Sequence, residues 1–313
     1  MSGCAPILLF VYHRLDHTRQ TIEALQKNHL AADSLLIVYS DAASKKEHEA
    51  GVQQVRNYLS SINGFIEVKI ILQPVNKGLA KSIVDGVAEQ INIHGRAIVL
   101  EDDLITSPYF LKYMNAALEL YEKEEKVMQV TGFCFPVTGQ LPSTYFVKLT
   151  SSWGWATWKR AWDTLSMDTE AHIHNIEKNN LVAAFDVDGG MGYFSHLLMN
   201  REGTMKTWAV KWYATVFLQD GLCLYPSKTL VKNIGHDGSG ENSLQNLLFS
   251  KHLLYEREIV VERIKIKEDL RARKIISSFL RLMNGTPSKL QTLRNKIKDK
   301  IKYELGKLLG RKR

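Results

Sequence analysis

The feature that most constrains the fold is an alternation of apolar runs and helical patterns over residues 6–100. The apolar runs occupy residues 6–12, 35–39, 65–72 and 97–100, and the helical patterns occupy residues 15–27, 46–60 and 78–90. Strands that are apolar throughout and alternate with helices are typical of a parallel sheet covered on both faces. The sequence therefore predicts an α/β, Rossmann-like fold with a mainly parallel sheet.

Polar residues follow each of these predicted strands. They are His13, Arg14, Ser40, Asp41, Asn76, Lys77, Gly78, Glu101, Asp102 and Asp103. In open sheets of this kind, ligands bind at the carboxyl ends of the strands. We therefore expect these residues to contribute to one ligand site.

The triplet Glu101, Asp102 and Asp103 directly follows an apolar strand and is the most informative motif. Three adjacent acids repel one another unless a cation or ligand hydroxyls compensate their charge. Hard oxygen ligands suit Mg²⁺ or Mn²⁺, which commonly bridge to phosphate groups. The alternative is that the acids precede a helix beginning after Ser107 and Pro108 and act as its N-terminal cap. The strand before the triplet favours a site for a metal and a phosphorylated donor.

Four segments in order, residues 6–14 (PILLFVYHR), 39–41 (YSD), 76–78 (NKG) and 99–103 (VLEDD), carry a family resemblance. They resemble N-acetylglucosaminyltransferase I and its bacterial sugar-transferase relatives. Residues 152–158 (SWGWATW) and 233–235 (NIG) look like the bacterial members that build surface polysaccharides. The resemblance covers about residues 5–245.

The resemblance implies a GT-A glycosyltransferase fold, a nucleotide-diphosphate-sugar donor and Mn²⁺ or Mg²⁺ as cofactor. A UDP-sugar is the favoured donor, with UDP-N-acetylglucosamine as the first choice, and the acceptor is a lipid-linked or surface polysaccharide. On this basis the chain divides into a nucleotide-sugar-binding half (1–105) and an acceptor-binding half (106–262), followed by a tail (263–313).

The resemblance also assigns roles to individual residues. Arg14 and Asp41 would contact the nucleotide, and Asp103 would bind the metal. Glu101 and Asp102 would contact ribose and sugar hydroxyls, and Asn76 and Gly78 would complete the donor site. The alternative for Arg14 is a surface ion pair with Asp16, and the alternative for Asp41 is a turn or helix cap.

An inverting transferase needs a group that takes the proton of the acceptor hydroxyl. The family places an acid after a tryptophan, in the stretch that matches residues 206–212, but this chain has Ala209 there. We expect His236 and Asp237, within a glycine-rich segment, to supply the catalytic group, because glycines let backbone approach a ligand closely. Other candidates are Glu241, Asp220 and the pair Asp186 and Asp188, and a plain surface turn is the alternative for residues 235–240.

Tryptophans concentrate in the second half of the chain. Trp153, Trp155 and Trp208 are the candidates for an acceptor site, because indole faces suit sugar C–H groups and indole N–H groups reach hydroxyls. The alternative is that these tryptophans pack in the core.

Residues 263–313 form a basic tail, with 17 Lys/Arg against four Asp/Glu, whereas residues 1–262 carry 24 against 29. Apolar residues recur there at steps of three or four: Leu290, Leu293, Ile297, Ile301, Leu305 and Leu308. An amphipathic helix with a lysine-rich polar face predicts binding to an anionic membrane surface. The alternative is packing on the domain. Nucleic acid is not expected as a partner, because the tail has few aromatics and no binding motif.

The three cysteines are widely spaced and form neither a disulfide framework nor a zinc-binding pattern. The longest early apolar run is too short for a signal core or a membrane span. We therefore expect a cytoplasmic protein, peripheral on the inner face of the cytoplasmic membrane. Two other functions stay open, a nucleotidyltransferase and a catalytically silent sugar-nucleotide-binding or scaffold protein.

Overall fold

The computed structural model of the chain describes residues 3–235 and 253–284. Two groups of sequence-based predictions lie outside these residues. One is the catalytic role of His236, Asp237 and Glu241, and the other is the apolar stripe from Leu290 to Leu308.

Residues 3–101 contain every strand and helix predicted for this part of the chain. The elements are β1 (Ile7–Val11), α1 (Leu15–Gln26), a short 3₁₀-helix (Ala31–Asp33), β2 (Leu35–Ser40), α2 (Lys46–Leu59), β3 (Glu67–Leu72), α3 (Leu79–His94) and β4 (Arg96–Glu101). The longest helix, α3, begins after Gly78, whose φ of 74° lies in the left-handed region, and it ends at Gly95, a left-handed C-cap.

The later elements are shorter and less regular. They are β5 (Leu104–Thr106), α4 (Phe110–Leu120), β6 (Val127–Thr131), β7 (Thr144–Val147), β8 (Trp155–Trp158), α5 (Lys159–Trp162), α6 (Thr169–Lys178), α7 (Val182–Phe185), α8 (Tyr193–Arg201), α9 (Ala209–Leu218), β9 (Leu222–Pro226), β10 (Val231–Asn233) and α10 (Leu270–Met283).

Within the described residues, eight strands form one sheet in the order β3-β2-β1-β4-β8-β6-β9-β7. β1 to β4 are mutually parallel, and β8 inserts antiparallel between β4 and β6. β6 and β9 are parallel to each other, and β7 is antiparallel to β9. Six of these eight strands therefore run in one direction, which confirms the predicted α/β class with a mainly parallel sheet and is consistent with a GT-A fold.

Alternate side chains of β1 enter two different core clusters. Leu9 packs with Ile22 of α1 on one face, whereas Leu8 packs with Ile83 of α3 on the other. This division follows from the two-residue period of a strand, and it explains why β1 is apolar at every position. Helices therefore cover both faces of the sheet, as predicted.

The chain after residue 253 packs back onto the domain. Ile259 joins the core cluster of the first sheet face, and Ile276 of α10 joins a cluster around β7 and β9. Asp269 is the N-cap of α10, and its side chain accepts the N–H groups of Arg271 and Ala272. Packed residues therefore lie on both sides of the predicted boundary after residue 262. The apolar stripe, to which the packing alternative applied, lies outside the described residues. Within residues 3–235 and 253–284, no helix combines the length and apolar composition needed to cross a bilayer.

Candidate active site

A cavity of about 490 Å³ opens at the carboxyl ends of β1, β2 and β4. Its wall contains polar residues that follow all four predicted strands: His13, Arg14, Asp41, Asn76, Gly78, Glu101, Asp102 and Asp103. The parallel order of β3, β2, β1 and β4 brings these residues together, because it aligns the ends of strands that are far apart in sequence. The second half of the chain contributes Ser152, Trp153, His196, Asn233 and residues 205–209.

Backbone contacts fix the acidic triplet at the cavity wall. β4 ends at Glu101, and the Asp102 carbonyl accepts a hydrogen bond from the Thr21 hydroxyl at 2.8 Å. The Asp103 carbonyl accepts the N–H of Ile234 at 2.8 Å, just beyond the pairing of β5 with β10. The two aspartates are thus held between α1 and the β10 segment.

Arg14 ion-pairs with both aspartates of the triplet. Its Nη2 lies 2.5 Å from Asp102 Oδ1 and 2.8 Å from Asp103 Oδ2. The predicted alternative, an ion pair with Asp16, does not form, because Asp16 pairs with Arg19 on the surface instead. Arg14 therefore belongs to the site, and it places one positive charge against three carboxyl groups.

The surplus of acids shifts the pKa values in the site. Burial, followed by the charges of Asp103 and Asp102, raises the pKa of Glu101 to about 8. Burial also raises the pKa of Asp102, although Arg14 opposes this shift. Burial lowers the pKa of Arg14, but the two aspartates more than offset that effect, so its net shift is upward. The site therefore favours a further positive charge.

The site residues fit a divalent cation of the Mg²⁺ or Mn²⁺ type. Asp102 Oδ2 and Arg14 Nη1 are buried and have no hydrogen-bond partner among the described residues. The described residues hold no ready-made cluster of three or more His, Cys, Asp or Glu ligands. One or two carboxylates completed by phosphate oxygens and water is the usual arrangement for Mg²⁺ in phosphate-binding sites. Asp103 and Asp102 would hold the ion there.

Asp41 is saturated by hydrogen bonds from the chain itself. Its carboxylate accepts the backbone N–H groups of Ala42, Lys77 and Gly78, each with a contact of 2.9 Å. It also accepts from Asn76 Nδ2 at 3.2 Å. Asp41 therefore ties the loop before α3 to the end of β2, which is close to the turn alternative weighed from the sequence.

The N-terminus of α3 forms part of the cavity wall beside this loop. Gly78, Leu79, Ala80 and Ser82 all line it. The Ser82 hydroxyl is buried and has no hydrogen-bond partner among the described residues. Helix N-termini favour anionic ligands, so this wall suits phosphate oxygens. Ser82 was missed by the sequence analysis, because a serine within a helical pattern carries no signal of its own.

The three candidate tryptophans occupy different environments. Trp153 is half-buried and lines the cavity. Trp208 is 3% exposed and packs in the same core cluster as Trp155, but it lines the cavity, whereas Trp155 is 1% exposed and is not among the described residues of the wall. Trp155 lies on β8 in the sheet and stacks on Trp208, with ring centroids 5.1 Å apart. Trp155 is therefore a core residue, as the packing alternative stated, and we leave it out of the proposed acceptor site.

Two of the candidate acids are occupied elsewhere. Asp220 lies on the surface and ion-pairs with Lys126 and Lys148. Asp188 ion-pairs with Arg273 of α10. Neither Asp220 nor Asp188 is among the described residues that line the cavity. Ala209, which the resemblance aligns with an acid, does line the cavity and presents only a methyl group.

No family model matches the chain, and no curated protein matches it. Among solved structures, the chain is similar to the mannosyltransferase PcManGT from Pyrobaculum calidifontis in complex with GDP-Man and Mn²⁺. The identity is 7% over 70% of each chain, with a TM-score of 0.36. It is also similar to S. aureus TarS, with 13% identity, 56% of this chain and 30% of TarS covered, and a TM-score of 0.32. The fold assignment rests on the strand order and not on these similarities.

Proposed function

We propose that the chain is a metal-dependent glycosyltransferase that moves a sugar from a nucleotide-diphosphate donor to a glycan acceptor. The observation that carries this proposal is the composition of the strand-end cavity. Three acids that face one arginine lie beside a helix N-terminus, at the edge of the sheet where ligands bind in this class of fold. The order of the family motifs along the chain supports the same function.

The residues divide the task by their chemistry. Arg14 offers a rigid fork of N–H donors to the donor's phosphate or base oxygens once the donor competes for it. Asp41 holds Asn76, Lys77 and Gly78 in place, so that the loop and the first turn of α3 can face the nucleotide. A divalent cation held by Asp103 would offset the charge that develops on the leaving diphosphate.

The donor and acceptor classes follow the resemblance. A UDP-sugar is the favoured donor, and UDP-N-acetylglucosamine is the first to test. A lipid-linked or surface polysaccharide is the proposed acceptor, with Trp153 and Trp208 as candidates to contact it. The basic segment would bring the enzyme to the anionic inner surface of the cytoplasmic membrane.

One observation favours a second function, a sugar-nucleotide-binding protein without catalytic activity. Ala209 lines the cavity at the position where the family has an acid, and a methyl group cannot take a proton. Such a protein would bind the donor and the metal as the enzyme does but would not break the sugar–phosphate bond. The two functions are therefore distinguished by measuring cleavage of the sugar–phosphate bond, because both predict binding of the donor.

Calorimetry with UDP-, GDP- and dTDP-sugars, each with and without Mn²⁺, tests the proposal. We expect one class to bind more tightly when Mn²⁺ is present, and Asp103→Ala to abolish that metal-dependent gain. Asp33→Ala, which changes an exposed aspartate on the 3₁₀-helix, is the matched control and should bind as the parent does. Equal donor affinity in parent and Asp103→Ala would refute the metal assignment. Release of free nucleoside diphosphate by the parent then distinguishes the enzyme from the silent binding protein.

A further inference from the structure

Inverting sugar transfer to a hydroxyl requires a group in the cavity that accepts the proton of that hydroxyl. Such a group needs a lone pair at neutral pH and a position on the cavity wall. On the proposed function, one side chain of the described wall meets both conditions.

The acids of the wall are already engaged. Both oxygens of the Asp41 carboxylate accept hydrogen bonds from the loop at Asn76–Gly78 and from Ala42. Asp102 and Asp103 are paired with Arg14 and are the proposed ligands of the metal. Glu101 belongs to the same triplet on the donor side. None of these carboxylates is therefore available to an acceptor hydroxyl.

The cationic side chains of the wall, and one of its two histidines, are also excluded as the proton acceptor. The guanidinium of Arg14 and the ammonium of Lys206 have only donors to offer. His13 stacks on His48 with ring centroids 4.2 Å apart, beside Tyr12 at the end of β1. The His13 ring therefore packs against residues of the predicted nucleotide-sugar-binding half.

His196 is the histidine that the second half of the chain contributes to the wall. It lies on α8, and the edge of its ring faces Tyr193, with centroids 6.0 Å apart. Burial lowers the pKa of His196, while the nearby carboxylate of Asp186 opposes this shift. The lowered pKa favours the neutral imidazole, the form that accepts a proton.

Asp186 is anchored to the start of the same helix. Its Oδ1 accepts the N–H of Phe194 at 2.8 Å, two residues before His196. An imidazole that takes a proton becomes a cation, and the Asp186 carboxylate is placed to stabilise it. Asp186 therefore favours the protonated form of His196 through its charge and not through a hydrogen bond.

His196 also lies near the position that lacks an acid. Asn200, one turn further along α8, accepts the N–H of Thr207 through its Oδ1 at 3.1 Å. This bond ties α8 to the segment that carries Lys206 and Ala209 into the cavity. His196 and Ala209 therefore line one cavity and lie on segments that a hydrogen bond joins.

We propose that His196 is the general base of an inverting transfer reaction. One ring nitrogen of His196 takes the proton of the acceptor hydroxyl. The hydroxyl oxygen forms a bond to the anomeric carbon of the sugar, and the bond from that carbon to the diphosphate oxygen breaks. The electron pair of the broken bond leaves with the nucleoside diphosphate, and the imidazolium later returns its proton to water.

The test follows release of UDP from UDP-N-acetylglucosamine with Mn²⁺, or from whichever sugar nucleotide binds the parent. Water serves as the acceptor, because it also loses a proton when its oxygen attacks the anomeric carbon. We expect His196→Ala and His196→Gln to lower the turnover rate by roughly 10²–10⁴-fold, the usual contribution of a general base. The dissociation constant for the donor should stay unchanged, and imidazole in the buffer should restore part of the turnover of His196→Ala.

Three controls make the result decisive. His174→Ala, which removes an exposed histidine on the neighbouring α6, should turn over as the parent does. His196→Gln keeps the hydrogen-bonding capacity but not the basicity, so near-parent turnover in this variant overturns the base assignment. Loss of donor binding in both His196 variants, with an intact thermal transition, also overturns it. A parent that neither binds nor hydrolyses any sugar nucleotide refutes the proposed function itself.

Discussion

Replacing Gly235 with alanine provides a local test of the acidic site. A Cβ at this position would lie 2.2 Å from Asp103 Oδ2, 2.9 Å from Asp103 Cγ and 3.2 Å from Arg14 Nη1. Real Cβ atoms essentially never approach another heavy atom below 3.0 Å. Because the backbone of residue 234 is bonded to the Asp103 carbonyl, the carboxylate must give way by about 1 Å to reach ordinary contact.

Two magnitudes follow from this displacement. Crowding of one extra methyl group in a packed site destabilises a fold by about 1–3 kcal/mol. A shift of about 1 Å at a reacting or binding group lowers catalytic rate by roughly 10²-fold. We therefore expect Gly235→Ala to fold with a modestly lower melting temperature and to lose most of its Mn²⁺-dependent donor binding and turnover.

Calorimetry with donor and Mn²⁺ measures the donor affinity, and thermal unfolding measures the melting temperature. Gly192→Ala is the matched control, because the nearest atom to its Cβ, Ser195 Oγ, lies at 3.7 Å, an ordinary contact. The control should match the parent in donor affinity. Parent-like affinity and turnover in Gly235→Ala would refute the reasoning, since the carboxylate of Asp103 would then not be held where the structure places it.

Three further predictions concern the loop, the tryptophans and the basic segment. Asp41→Ala should weaken nucleoside-diphosphate binding by roughly 1–3 kcal/mol, because it releases the backbone donors of the loop before α3. Trp155→Ala should lower the free energy of unfolding by about 3–5 kcal/mol, whereas Trp153→Ala should mainly reduce turnover with a glycan acceptor. Removal of residues 286–313 should leave donor hydrolysis nearly unchanged and reduce sedimentation with anionic vesicles, an effect that raised salt should partly reproduce.

Each of these predictions has an outcome that contradicts it. Nucleotide binding by Asp41→Ala that equals the parent's would show that the loop holds its position without the carboxylate. A Trp155→Ala variant as stable as the parent, measured by denaturant unfolding, would contradict its place in the core. Aggregation of the truncated chain, or loss of its melting transition, would show that the removed stripe packs on the domain and would refute the membrane proposal.

The first half of the fold could be predicted from the sequence because its signals are local. Unbroken apolar runs such as residues 6–12 identify buried strands, and the spacing of Val52, Val55 and Leu59 identifies the buried face of α2. Parallel strands must then end at one edge of the sheet, so the grouping of Arg14 and Asp103 at that edge was expected, whereas their ion pair was not. The second half gave weaker signals, since its strands are short and β8 enters the sheet out of sequence order.

The sequence by itself determined the class of fold and the edge of the sheet at which Glu101, Asp102 and Asp103 meet Arg14. Only the tertiary structure decided that the Asp41 carboxylate accepts hydrogen bonds from a loop 36 residues away. It also decided that Trp155 is buried and that His196 lines the cavity. The physical reason is that periodicity reports which face of an element is apolar. It does not report which distant donor, ring or cavity that element will contact, because those contacts depend on how the elements pack together.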